Sequence, residues 1–190
     1  MSVSISNTER PKISMSSCGG DVSIFESADR MRFTVRPIRV EDEPMLAEFH
    51  SQLSEESVYR RYFAPLKLET RVAHGRLLRR CMIDGREQVA LVAEHKDEMG
   101  VVHIAGVARL VTISGRNSAE LAFVVADFYQ HRGLGTYLLS RMIGIGRERG
   151  LEQLEAEVLA ENDGMKHLFR HAGFRLSAPE AGVLTACLVL

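Results

Sequence analysis

The chain has 190 residues, a hydrophobic fraction of 45% and 24 basic against 25 acidic side chains, for a formal net charge of −1. That length suits one domain with a sizeable core. The charge balance gives no electrostatic footprint for nucleic acid, and no stretch approaches the roughly 18 apolar residues of a membrane span. Residues 1–9 are polar and lack the apolar segment of a signal peptide. Cys18, Cys81 and Cys187 are odd in number and far apart, which predicts reduced, apolar cysteines in a cytoplasmic protein.

Residues 1–30 are Ser-rich and aperiodic and read as a flexible tail, leaving 31–190 as the domain. Residues 32–37 alternate polar and apolar, as a half-buried strand does. A helix is predicted over 40–50, capped by Asp42 or Glu43 with Pro44 in its first turn. A second helix runs from a Ser54 cap to Tyr62, and a third over 69–82. Strands follow at 88–94, 101–113 and 119–125, the short turns between them implying an antiparallel meander. Gly106 suggests a bulge. Residues 133–149 form an amphipathic helix with Leu134, Leu138, Leu139, Met142 and Ile145 inward. A strand at 151–159, a helix at 164–171 capped by Asn162 or Asp163, and strands at 174–176 and 184–190 complete an α+β order without internal repeat.

The most informative stretch joins the strand at 119–125 to the helix at 133–149 through Gln130-His131-Arg132-Gly133-Leu134-Gly135-Thr136. A glycine turn feeding a helix N-terminus offers amides that have no acceptor within the helix, together with the positive end of its dipole. No Gly-Lys-Ser/Thr follows, so it is not a P-loop, and Leu138 breaks the dinucleotide fingerprint. On spacing alone, an ordinary helix-start turn and a phosphate cradle fit equally well. Glu120 lies within the apolar strand, on one face with Ala122 and Val124, and reads either as a surface carboxylate or as a functional base. His167 and His171 have metal-capable spacing but no third ligand, so no metal site is expected. Gly144 and Gly146 sit inside a helix and read as a packing accommodation.

Phe123-Val-Val-Ala, Gln130-His-Arg-Gly-Leu-Gly, Glu157-Val-Leu-Ala-Glu-Asn and Leu168-Phe-Arg-His-Ala-Gly-Phe, at these separations, resemble the GNAT superfamily of acetyl-CoA-dependent N-acyltransferases. Residues 35–44, 53–63 and 86–94 are similar to the acetyltransferase domain of bacterial Pat-type protein-lysine acetyltransferases, which modify acyl-CoA synthetases. The resemblance implies a mixed, mostly antiparallel central sheet flanked by helices, and acetyl-CoA as co-substrate. It places the pyrophosphate on the amides of Arg132, Gly133, Leu134, Gly135 and Thr136, with Gln130 and His131 also among the cofactor-binding residues. It sets the pantetheine arm along Val124, Val125 and Ala126, with the Val125 amide as oxyanion donor, and gives Asn162 a hydrogen bond to the arm. Arg132 is assigned to a terminal phosphate, while Lys166 and Arg170, the other candidates for it, read better as a solvated basic face. Glu120 becomes the preferred general base, with Asp127 as a weaker candidate that more naturally caps its turn. The implied acceptor is a lysine of a protein. Rival readings are acetylation of a small amine and a non-catalytic acyl-CoA sensor. Family members commonly carry a tyrosine as general acid where this chain has Phe169.

Overall fold

The computed structural model describes residues 21–73 and 87–190. Cys18, Cys81 and the greater part of the helix predicted over 69–82 lie outside these residues. Eight strands form one sheet in the order β1-β2-β3-β4-β5-β6-β8-β7. They are β1 Ser23–Glu26, β2 Arg32–Pro37, β3 Gln88–Lys96, β4 Val102–Thr112, β5 Ser118–Val125, β6 Gln153–Leu159, β7 Arg175–Leu176 and β8 Val183–Val189. The helices are α1 Glu43–Ser51, α2 Glu55–Tyr62, α3 Leu68–Val72, α4 Leu134–Glu148 and α5 Asp163–His171. This is the mixed, mostly antiparallel sheet with flanking helices that the resemblance implies.

One part of the tail is structured. Residues 23–26 form β1, paired antiparallel to β2 with Phe25 opposite Phe33. Phe25 stacks on Phe33 and on Tyr137 of α4, at centroid distances of 5.9 and 4.9 Å. A single aromatic in a polar stretch has no periodicity to announce it, and the strand exists because that ring docks on the sheet and on α4.

The cap of α1 also differs from expectation. Asp42 makes no side-chain cap bond to α1. Its carboxylate turns back to accept from the Arg39 N–H at 2.7 Å and from both terminal nitrogens of Arg36, at 2.8 and 2.6 Å. Arg36 also donates through Nε to Glu94 on β3, at 2.9 Å. This buried arginine therefore joins β2, β3 and the start of α1. The guanidinium is held above its ordinary pKa, first by Asp42 and against its own desolvation. Burial by itself would raise the Asp42 carboxyl, but the Arg36 and Arg39 donors hold it below its usual value.

Strands β3 to β5 form the expected meander, and β2 and β1 extend it antiparallel beyond β3. Ala93 pairs with Gly106 and Glu94 with Ile104, so Ala105 is the extra residue of a β-bulge, one position before the glycine expected there. The chain then crosses over through α4, which makes β5–β6 the parallel pair. Leu134, Leu138, Leu139, Met142 and Ile145 of α4 are all buried, as its period predicts. Gly146 is a close-approach site: a Cβ there would stand 2.8 Å from Leu190 and 3.2 Å from Leu154. Helix α4 packs on β4, β5 and β6, while α1 meets β4 and α2 meets β5. No helix among the described residues is long and apolar enough to cross a membrane.

Candidate active site

The site forms where β5 and β6 part. Their pairing runs from Ser118–Gln153 to Glu120–Glu155 and stops there. Beyond Glu120 the two strands diverge, and the β5 edge turned toward β6 loses its strand partner. The Ala126 N–H is donated to Ala105 of β4 at 2.9 Å. Strand alternation therefore turns the Val125 N–H to the other edge, into the opening. Of the three positions expected to pair with a pantetheine arm, Val125 alone offers both backbone groups there. Ala126 is committed to β4, and Val124 points its backbone groups the same way. The Val125 carbonyl already accepts from the Gln130 side chain at 3.0 Å.

A cleft of about 270 Å³ opens at this point. Its walls include Val124, Val125, Gln130, His131, Gly133, Gly135, Thr136 and Asn162. Gly133 is the N-cap of α4 at φ +84°, a left-handed conformation that glycine adopts without Cβ strain. His131 is also left-handed, at φ +60°. Two left-handed residues bracketing Arg132 wrap the backbone into a concavity, and the first amides of α4 follow it. The Tyr137 N–H closes the first helical bond onto Gly133, which leaves the amides of Leu134, Gly135 and Thr136 without acceptors inside the helix. Leu134 contributes through its backbone, since its side chain is buried in the core. The Asn162 side chain is the N-cap of α5, accepting from the Met165 N–H at 3.1 Å.

Arg132 lies outside the cleft lining. Its guanidinium pairs with Asp29, donates to the Phe128 carbonyl and stands 5.4 Å from the Phe128 ring centroid. Lys166 is likewise taken up at its own helix start, by Asp163 at 2.7 Å and by the Ala160 carbonyl. His167 and His171 stack on the exposed face of α5, and no metal-holding cluster occurs among the described residues.

Glu120 lies on an adjoining cavity with Arg60, Arg61, Phe63, Ala122, Glu157 and Phe169. The two cavities share Arg60, Arg61, Phe123, Asn162 and Met165. Glu120 is exposed, on the same sheet face as the half-buried Ala122 and Val124. Neither it nor Glu157 has an ion-pair partner among the described residues. Glu157 and the two arginines of α2 were not singled out by the sequence reading. The adjacent pair Arg60-Arg61 between two aromatics was the available signal, but a helix end with exposed basic residues is common and carries no direction by itself.

Asp127 has a structural role. Its carboxylate accepts from the Ser54 N–H at 2.9 Å, the Ser54 hydroxyl at 2.6 Å and the Ser57 hydroxyl at 2.8 Å. It holds Ser54, the N-cap of α2, and so ties the arginine-bearing helix to the loop after β5. Burial pushes its carboxyl up, and the serine donors more than offset that, leaving it below the usual value. Asp127→Ala is expected to cost about 1–3 kcal/mol in urea unfolding, as loss of hydrogen bonds to a charged group does.

The chain matches the acetyltransferase (GNAT) family over residues 48–174. It belongs to that family. It is 29% identical over 157 residues to an acetyltransferase of Pseudomonas aeruginosa, covering 82% of this chain and 81% of that one. It is 28% identical over 154 residues to the acetyltransferase Pat of Mycolicibacterium smegmatis, covering 80% of this chain and 44% of Pat. The chain therefore spans less than half the length of that relative. Among solved structures, the GNAT domain of S. lividans PAT superposes with a TM-score of 0.77 at 30% identity, over 89% of this chain and 97% of that domain. The PaiA N-acetyltransferase of Thermoplasma acidophilum, solved with coenzyme A, shares the fold at a TM-score of 0.66 and 17% identity. This GNAT protein is an acyltransferase with acetyl-CoA as co-substrate. The turn at the start of α4 is the part of the cleft with the chemistry to hold the anionic end of that molecule.

Proposed function

We propose that this GNAT protein acetylates a lysine side chain of a protein by direct transfer, with Glu120 as general base. The observation that carries the reading is the position of Glu120. It is a carboxylate without an ion-pair partner among the described residues, located where β5 and β6 separate, in a cavity continuous with the cofactor cleft. A lysine ammonium has a reference pKa of about 10.4, so at neutral pH the nucleophilic form is scarce and a nearby base is valuable. The ammonium loses one proton through Glu120 to solvent, and the free amine nitrogen bonds to the thioester carbonyl carbon. Glu120 takes the second proton from that nitrogen, and the C–S bond breaks with its electron pair going to sulfur. The Val125 N–H, aimed into the opening, suits the oxyanion. The pyrophosphate lies on the amides at the start of α4, and Asn162 faces the arm from α5. The likeness to Pat supports a protein acceptor.

The test offers purified acyl-CoA synthetases and, separately, a panel of polyamines and aminoglycosides, with acetyl-CoA as donor. A mass gain of one acetyl group on a synthetase lysine, with little thiol release from the small amines, is the expected outcome. Transfer to the small amines alone overturns the protein-acceptor reading. Binding of acetyl-CoA with no thiol release to any amine overturns catalysis.

A further inference from the structure

The residue available to most family members as an acid for the leaving thiol is Phe169 in this chain, a side chain with no proton to give. The ring is 2% exposed, packed edge-on to Phe123 and 4.8 Å from the Phe174 centroid. At this position the departing sulfur receives no proton, and it leaves as an anion. A thiol of pKa near 8.5 already leaves fairly well, and a cation beside it improves that.

The charged groups around the reaction zone are few. Arg60, Arg61 and His131 line the cofactor cleft, and Arg60, Arg61, Glu120 and Glu157 line the acceptor cavity. A third, smaller cavity lies behind Ala122 and Val124, with Arg61, His50 and Arg109 in its lining. Arg61 is the one residue common to all three. Transfer from a donor held at Val125 to an amine held at Glu120 has to occur along Ala122–Val124, which is the stretch these cavities enclose. The other cations are placed differently. Arg60 borders two of the three cavities, His131 the cofactor cleft alone and Arg109 the third cavity alone.

Arg61 is also firmly placed. Asp127 and Ser54 hold the start of α2. Phe63 closes its end in a left-handed turn, with its N–H on the Tyr59 carbonyl at 2.8 Å. The guanidinium carbon stands 5.1 Å from the Tyr62 ring centroid.

We propose that Arg61 is a catalytic residue that stabilises the departing thiolate, replacing general-acid assistance with a fixed positive charge. The inference rests on the acetyl-transfer reading above. As the C–S bond breaks, the electron pair settles on sulfur facing the guanidinium. The amine proton is on Glu120, and sulfur takes a proton from solvent after it leaves. A guanidinium does not give up its own proton near neutral pH, so its contribution is electrostatic.

The experiment titrates the thiol of coenzyme A bound to the full chain, by ultraviolet thiolate absorbance, and needs no acceptor. In the wild type the bound thiol is expected to titrate about one pH unit or more below free coenzyme A, the size of shift that a nearby opposite charge produces. Arg61→Gln removes the shift and Arg61→Lys keeps part of it. With an acceptor present, Arg61→Gln lowers kcat about tenfold while the acetyl-CoA Kd stays within about threefold. An identical bound-thiol titration in wild type and Arg61→Gln overturns the proposal, as does an unchanged kcat in that variant. Failure of lysine acetylation with the thiol shift intact overturns the acceptor reading instead.

Discussion

Glu120→Gln is expected to lower kcat for amine acetylation by about 10²- to 10⁴-fold at neutral pH, the usual span for loss of a general base. The substitution keeps the size and shape of the side chain and removes only its basicity. Glu120 lines the adjoining cavity and not the cleft that carries the start of α4. Acetyl-CoA binding, measured calorimetrically, should therefore stay close to wild type. The pH profile is the sharper readout. As pH rises toward the amine's reference value of about 10.4, solvent supplies the free amine and the deficit of the variant shrinks. A deficit that is constant across pH removes Glu120 from proton transfer, and an undiminished kcat removes it from the mechanism.

The second large effect concerns the fold. Asp42→Ala is expected to destabilise the chain by about 3 kcal/mol, because a buried cation loses its bidentate partner and is left with Glu94 as its remaining carboxylate. Arg36 is 7% exposed and Asp42 2%. Without Asp42, the guanidinium keeps Glu94 and the Pro37 carbonyl, and the Arg39 N–H loses its acceptor. Equilibrium urea unfolding measures the loss. Asp42→Asn should fall between the two, since its amide oxygen still accepts from Arg39.

The pH dependence follows from the direction of the Asp42 shift. The carboxyl is held below its unfolded value of about 3.9, so its contribution is fully present above that value and is lost as pH falls through the lower folded value. The gap between wild type and Asp42→Ala is thus expected to be flat across neutral pH and to close only in acid. A gap that closes between pH 6 and 8 assigns the stability to a different group.

Most helices and strands could be read from pattern alone. The inward face of α4, the Ser54 cap of α2 and the Asn162 cap of α5 each depend on residues within a turn or two of one another, where spacing in sequence is spacing in space. The glycine turn was legible as a helix start with unpaired amides for the same reason, because a helix N-terminus carries them wherever it is found. The resemblance then placed Glu120 and Asn162 relative to it.

The remaining features depend on packing between distant segments. Strand β1 was missed because one aromatic, Phe25, finds its surface on Phe33 and Tyr137, far along the chain. Arg132, read as a phosphate ligand, is drawn to Asp29 by that same docking. Asp42 and Asp127 looked like local caps, yet each spends its carboxylate on groups brought to it by another element: Arg36 in one case, and Ser54 and Ser57 in the other.

The sequence by itself determined the order of the elements, the Gly133–Thr136 turn and the family. These are properties of local periodicity, local turn chemistry and fixed motif spacing. Tertiary structure alone decided that β5 and β6 part at Glu120, that the Val125 amide faces the gap, and that Arg61 borders all three cavities. A strand's open edge is defined by the neighbour that diverges from it, and a cavity by walls from several elements, so neither is encoded in any single stretch of chain.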